Sequence, residues 1–302
     1  MLDLEQLAAL LEKNRDAAKA RVKEFTIGGK QFAFNSRPYL MGVINLSPDS
    51  WYRESVCLSA EAAIRRGKLL ATQGAEIIDV GAESTLAHAA RAADALQKSK
   101  LLPVINGLRD QIVSVETYSA DIAEQCLSAG AKILNLTGNE PNLYSVAAAH
   151  DAAVIICYVQ GPNVREVNDF SFKGDVIAMM HEYFARQIER ATRAGVKNIL
   201  IDPGLGFYYR NLQDSAMRVR HQMTVFLNTF RLRTLGFPVC HALPHAFEYF
   251  GDEVRSAEPF FAVLAALGKT DLFRTHEVPK TKAVLDVLRL FDKGTQPLPP
   301  SA

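Results

Sequence analysis

The chain is predicted to fold as an α/β protein, a (β/α)8 barrel of the TIM type preceded by an N-terminal helix and a β-hairpin. Three observations lead there. Short apolar runs recur eight times, at 39–46, 75–81, 111–117, 131–137, 152–159, 197–204, 237–243 and 270–276, each too short for a helix. Most intervals between them are long enough to hold one, as parallel strands require. Eight strand-helix units in 302 residues fit one closed barrel, with a doubly wound open sheet as the second architecture.

Residues 1–24, rich in Leu, Ala, Glu and Lys, read as a charged amphipathic helix. EFTIGGKQFAFNSRP then alternates apolar and polar residues on either side of Gly28-Gly29, the pattern of a hairpin placed under a larger body. The barrel is expected over 25–294. Its helices are punctuated: one starts at Ser59 and stops at Gly74, another runs from Ser119 to Gly130, and a third opens at Asp175 and ends at Gly195. Short side-chain acceptors cap the first N–H groups, and glycine turns the chain at the end. The final segment 295–302, rich in proline, is expected to fray.

Composition narrows the function classes. Lys plus Arg number 34 and Asp plus Glu 33, a formal charge of +1, so no net field draws the chain to nucleic acid or anionic lipid. No apolar run reaches the roughly 18 residues of a membrane span, and the N-terminus has no signal-peptide core. Cys57, Cys126, Cys157 and Cys240 are scattered without metal or redox spacing. A cytoplasmic enzyme or binding protein is expected.

A barrel carries its site at the carboxyl ends of its strands. Those ends carry Asn45, Asp79, Glu116, Asn135, Tyr158, Asp202, His241 and Arg274. Closing apolar runs with polar groups costs about 1–3 kcal/mol apiece if they stay unpaired, so such residues are expected to serve a ligand. Arg274 and His276, two apart, would project to one face of the last strand and suit a diphosphate; the alternative is an exposed pair at a strand end. Asp202, before Pro-Gly-Leu-Gly, can accept from an N–C–NH2 ring edge, and Asn135 can complete that edge; either alone could be a loop cap. Trp51, the only tryptophan, stands on a polar loop and either covers a flat ligand or packs on a helix. His241 and His245 have the spacing of a zinc pair, but Pro244 between them forbids the helix that would align the rings.

MGVINLSPDSW, EIIDVGAEST, SVETYSADIAEQCLSAGAKILN, VQGPN, IDPGLGF and FRTHEV, in that order from about residue 25 to 290, resemble the motifs of dihydropteroate synthases. Those enzymes join 6-hydroxymethyl-dihydropterin diphosphate to p-aminobenzoate and release pyrophosphate. The resemblance implies that Asn45 holds Mg²⁺ and diphosphate and that Thr85 contacts the diphosphate. It further implies that Asn135 and Asp202 grip the pterin, that Arg274 and His276 bind the diphosphate, and that the chain is a homodimer built through its late helices.

The sequence also departs from that pattern. Arg53 stands where the family has a loop Asp, Leu86-Ala87 where it has Arg-Pro, Glu116 where it has a strand Asp, Tyr158 where it has a His, and His245 where it has the Lys shared by the two substrates. The pterin and diphosphate half is kept, while the acceptor half is altered. The leading expectation is a synthase-type transferase using p-aminobenzoate or a different arylamine. A non-catalytic pterin-binding paralogue and a methyltransferase of methylated tetrahydropterin are the alternatives.

Overall fold

The computed structural model describes residues 1–49, 52, 55–83, 93–140, 142–167, 169–170, 174–207, 209, 211–212 and 214–292. Helix α1 (Leu4–Lys13) and the hairpin β1 (Phe25–Ile27) and β2 (Lys30–Phe32) precede the barrel. Strands β3 (Tyr39–Asn45), β4 (Ile77–Gly81), β5 (Val113–Thr117), β6 (Ile133–Leu136), β7 (Ala153–Cys157), β8 (Ile199–Asp202), β9 (Cys240–Ala242) and β10 (Leu272–Thr275) follow. Between and after them lie α2 (Ala60–Thr72), α3 (Asp94–Gly107), α4 (Ala120–Ala129), α5 (Asn142–Ala149), α6 (Val176–Arg193), α7 (Ser215–Leu227), α8 (Thr229–Leu232), α9 (Phe247–Phe250), α10 (Ala257–Leu267) and α11 (Val278–Asp292).

All eight barrel strands are parallel, in the order β8-β7-β6-β5-β4-β3-β10-β9. The ring is closed by one bridge, Ile201 with Val239, just before β9. The expected barrel is therefore the fold.

Side chains along each strand alternate between barrel interior and helix layer. Met41, Ile77, Ile133, Ile155, Leu200, Cys240 and Leu272 form the lower interior layer. They pack on Phe32 and Phe34, which with Tyr39 make an aromatic plug: the Phe32 and Tyr39 ring centres are 4.7 Å apart. The hairpin thus seals the amino end of the barrel, as the sequence pattern suggested. Each fully buried side chain of this kind contributes about 1.5–3 kcal/mol. The intervening residues, among them Ile44, Ile78, Val115, Leu134, Ile156, Ile201 and Phe273, pack outward against the helices.

The helix starts follow their caps. Ser59 Oγ accepts from the Ala62 N–H at 3.2 Å, and Asp175 Oδ1 accepts from Ile177 at 2.9 Å. Ser119 stands at the start of α4 without a capping hydrogen bond. Two expected elements are shorter than predicted. The N-terminal helix ends at Lys13, not at residue 24, because Asn14 leaves helical geometry (φ −128°, ψ 31°) and its side chain satisfies the Leu10 carbonyl at 2.9 Å. A single 3₁₀ turn (Ala17–Lys19) and extended chain then lead to the hairpin. The last strand likewise stops at Thr275, so His276 lies one residue beyond it. Among the described residues no helix is long and apolar enough to cross a membrane.

Candidate active site

The alternation that gives the barrel an apolar lower layer places a polar layer two residues further along the same strands. Asn45, Asp79, Glu116, Asn135, Asp202 and Arg274 follow Val43, Ile77, Ser114, Ile133, Leu200 and Leu272 at that spacing. At the centre of this floor is Arg274. Its Nε donates to Asp79 Oδ2 at 2.7 Å and its Nη2 to Glu116 Oε2 at 2.6 Å, so a β10 guanidinium reaches carboxylates of β4 and β5. Asp79 is completely buried and accepts two more bonds, from Ser114 Oγ at 2.7 Å and Asn135 Nδ2 at 3.2 Å. Asn135 is thereby oriented, with its oxygen 3.4 Å from the Cys157 thiol.

Asp202 takes a different partner. Its Oδ1 accepts from the Gly204 N–H at 2.7 Å. That turn requires glycine: Gly204 has φ +72°, and a Cβ there would lie 2.4 Å from the Tyr158 carbonyl oxygen. Burial pushes the Asp202 carboxyl up to about 6, against the pull of the Gly204 N–H and Arg274. Burial likewise pushes Glu116 up to about 7 although Arg274 opposes it. Near neutrality Glu116 is therefore about half protonated, while Asp202 is mostly ionised and available as an acceptor. For Arg274, burial works against the charge, yet Asp79 and Glu116 hold its pKa above the ordinary value.

Asn45 stands at the end of β3. Its Nδ2 donates to Ser55 Oγ at 2.6 Å, while the Ser55 hydroxyl donates to the Tyr52 carbonyl at 2.7 Å. The serine proton is therefore committed, which fixes the amide orientation and leaves the oxygen of this pocket-lining residue as the acceptor atom. A hard amide oxygen suits Mg²⁺, which keeps most of its water and takes few protein ligands beside a substrate phosphate. The donor present fits such an ion.

Above the floor is an aromatic rim. Tyr52 stacks on His245, with ring centres 4.7 Å apart and planes 17° apart, and lies 4.7 Å from His276. Its hydroxyl donates to Glu277, which Arg255 also holds, through Nε at 2.6 Å. His276 Nδ1 is 2.7 Å from Glu258 Oε1, a fully buried carboxylate on α10. Burial works against the charge of Glu258, but the imidazoles of His276 and His245 outweigh it and hold the carboxyl well below its usual range.

Asn45, Glu116, Asn135, Asp202, His245, Arg274 and His276 all line one pocket at the carboxyl ends of the strands. Thr85 and Trp51 lie outside the described residues. Arg274 and His276 line the same pocket but take separate partners, one in the floor and one at the rim. Two strand-end residues do not belong to the site. Tyr158 and His241 sit at the outward-facing positions next to Cys157 and Cys240, so Tyr158 packs on Tyr183 and His241 bonds Thr229 Oγ1 at 2.8 Å. Period-two parity would have excluded both. It would also have promoted Asp79, the floor's most connected group. Tyr52 and Glu258 carried no comparable signal.

A barrel with a polar floor and a ringed pocket at the carboxyl ends of its strands defines an enzyme of the (β/α)8 class. The family model described as "Pterin binding enzyme" matches residues 41–241. A dihydropteroate synthase from Synechocystis sp. is 30% identical over 282 residues, covering 88% of this chain and 93% of that protein. One from Clostridium beijerinckii is 32% identical over 224 residues, covering 70% and 76%. The solved structure of Xanthomonas albilineans dihydropteroate synthase with 4-aminobenzoic acid superposes with a TM-score of 0.76 at 26% identity, over 90% of this chain and 99% of that one. The chain belongs to the pterin-binding enzymes and, within them, to the dihydropteroate synthase family. It is a transferase of that family.

Proposed function

We propose that this chain condenses 6-hydroxymethyl-dihydropterin diphosphate with an arylamine, p-aminobenzoate or a different acceptor, releasing pyrophosphate in folate synthesis. The observation that carries this reading is the strand-borne floor, where Asp202 and Asn135 face the pocket beside the Arg274 pair with Asp79 and Glu116. The ionised Asp202 accepts N–H bonds from the amino-pyrimidine edge, and Asn135 and Glu116 complete the ring's contacts. Trp51 covers the ring, and Thr85 meets the diphosphate.

At the diphosphate end, Asn45 would hold Mg²⁺, which supplies positive charge to the departing group. Arg274 and His276 stabilise the negative charge of the departing diphosphate as its bond to the pterin methylene breaks, and the arylamine nitrogen attacks the carbon and gives up a proton. His245, in place of the family's Lys, borders the acceptor. This change and Leu86-Ala87 leave the acceptor pocket without the family's cationic contacts, so p-aminobenzoate turns over slowly, below about 1 s⁻¹. Positioning of the second substrate supplies several kcal/mol of such a barrier.

The enzyme acts in the cytoplasm as a homodimer. In support, Phe260 and Leu267 on α10 and Val287, Leu290 and Phe291 on α11 are exposed apolar side chains on the late helices. Calorimetric titration with the pterin diphosphate and Mg²⁺, followed by pyrophosphate release across a panel of arylamines, tests the reading. Binding followed by release with at least one amine is expected; no binding of the pterin diphosphate overturns it.

A further inference from the structure

The rim holds a second set of potential ligands, distinct in chemistry from the oxygen donor at Asn45. His245, Glu258 and His276 bring one donor atom each to within 4.8 Å of one another. We propose that these three side chains bind a divalent transition-metal ion of the zinc class, with an open coordination position facing the pocket.

Geometry carries the argument. Glu258 Oε1 lies 2.7 Å from His276 Nδ1 and 3.1 Å from His245 Nε2. The first contact is a hydrogen bond; the second is not aligned as one, and His245 Nε2 is buried without a hydrogen-bond partner. An orphaned buried nitrogen costs about 1–3 kcal/mol. An ion about 2.0–2.1 Å from each donor sets tetrahedral ligands roughly 3.3 Å apart. The His245 contact already has nearly that spacing, and the His276 contact needs to open by about half an ångström.

The support around these donors is that of a metal site. The other oxygen of Glu258 accepts from the Thr275 hydroxyl and from the backbone N–H groups of His276 at 2.9 Å and Glu277 at 3.0 Å, which fixes the carboxylate. Tyr52 stacks on the His245 ring and packs at a 32° tilt against the His276 ring, which restrains both imidazoles. Two imidazoles and one carboxylate favour Zn²⁺, Co²⁺ or Fe²⁺ over Mg²⁺. Both histidines line the pocket, so the remaining position opens there.

The site also supplies charge that the pocket needs. Arg274 offers the diphosphate a guanidinium whose Nε and Nη2 are already engaged by Asp79 and Glu116, and Arg218 is paired with Glu248 at 2.6 Å, so a metal would add to their charge. A metal at the rim would take up a diphosphate oxygen. That use rests on the transferase reading; metal binding itself does not.

The test is uptake of Co²⁺ by the full chain after treatment with chelator, followed by visible absorption, with Zn²⁺ as competitor. One ion per chain is expected, with the d–d bands of a nitrogen-ligated four- or five-coordinate ion, displaced by Zn²⁺. His245→Ala should weaken uptake at least about 100-fold, and His276→Ala similarly. Because Glu258 anchors the loop after β10, Glu258→Gln is the variant at that position, with circular dichroism as the check on folding. No stoichiometric uptake by the wild-type chain, or uptake unchanged by His245→Ala, overturns the proposal. Uptake that depends on His245 in a chain that fails to bind pterin diphosphate supports the metal site and counts against the transferase reading alone.

Discussion

At the floor of the pocket Arg274 and its carboxylate partners stand on strands and point inward, whereas at the rim Tyr52, His245 and His276 come from loops, and the two histidines meet a carboxylate from helix α10. By the motif resemblance, the floor keeps the family pattern with Glu for Asp at 116. By the same resemblance, the rim keeps His276 but carries His245 where the family has Lys. A strand residue is held by hydrogen-bond ladders on both sides, so the floor cannot shift one residue without turning its polar face out of the barrel. Loops carry no such constraint, and chemistry can change there while the fold stays the same.

Substitutions separate the two regions by size of effect. Arg274→Ala leaves Asp79 and Glu116 buried without their cation, and a loss of about 3–5 kcal/mol is expected in urea denaturation. A loss under 1 kcal/mol would mean that the floor is not held by its ion pairs. Asp202→Asn removes the acceptor for the pterin edge, and affinity for the pterin diphosphate should weaken at least about tenfold, or 1.4 kcal/mol, by calorimetry. Unchanged affinity removes Asp202 from the ring's recognition.

The pH dependence sharpens the same point. With the Asp202 carboxyl at about 6, protonation competes with the ring N–H groups, so pterin affinity should fall about tenfold from pH 7 to pH 5. Asp202→Asn should flatten that part of the profile. The folded chain binds protons at Glu116 and Asp202 more tightly than the unfolded chain does. Their contribution to stability is therefore fully present below the ordinary carboxylate range and is lost as pH rises through about 6 and about 7. The smallest effect belongs to the rim. The Arg255 side chain is 54% exposed beside Glu277, and Arg255→Ala should cost no more than about 1 kcal/mol in the same denaturation experiment.

How much of this was legible in the sequence depends on the element. Strand count and helix caps are local properties, so the barrel and the punctuation of its helices could be read directly. Floor residues were legible because an apolar run that ends in a charge is costly without a purpose. Tyr158 and His241 were misjudged because the end of a run was read without its parity: each faces helices, one residue out of phase with the polar layer. Glu258 was invisible for a different reason. An acidic residue in the first turn of a helix is ordinary, and nothing in the spacing links it to His245 or His276. Their meeting depends on how α10 docks on the strand that follows it.

One closing feature of the barrel has a mechanical meaning. Seven seams of the ring are laced by continuous ladders. The eighth is a single stitch, the bridge of Ile201 with Val239, where the Ile201 amide bonds the carbonyl of Pro238, a residue with no amide hydrogen to return. A hoop fastened in this way yields first at the stitch. Asp202 stands on one lip of that opening and the His245 loop on the other, so breathing at the seam would part the ring-gripping edge from the rim while every other seam stays laced. Among the ladder amides, that of Ile201 is expected to exchange its hydrogen earliest.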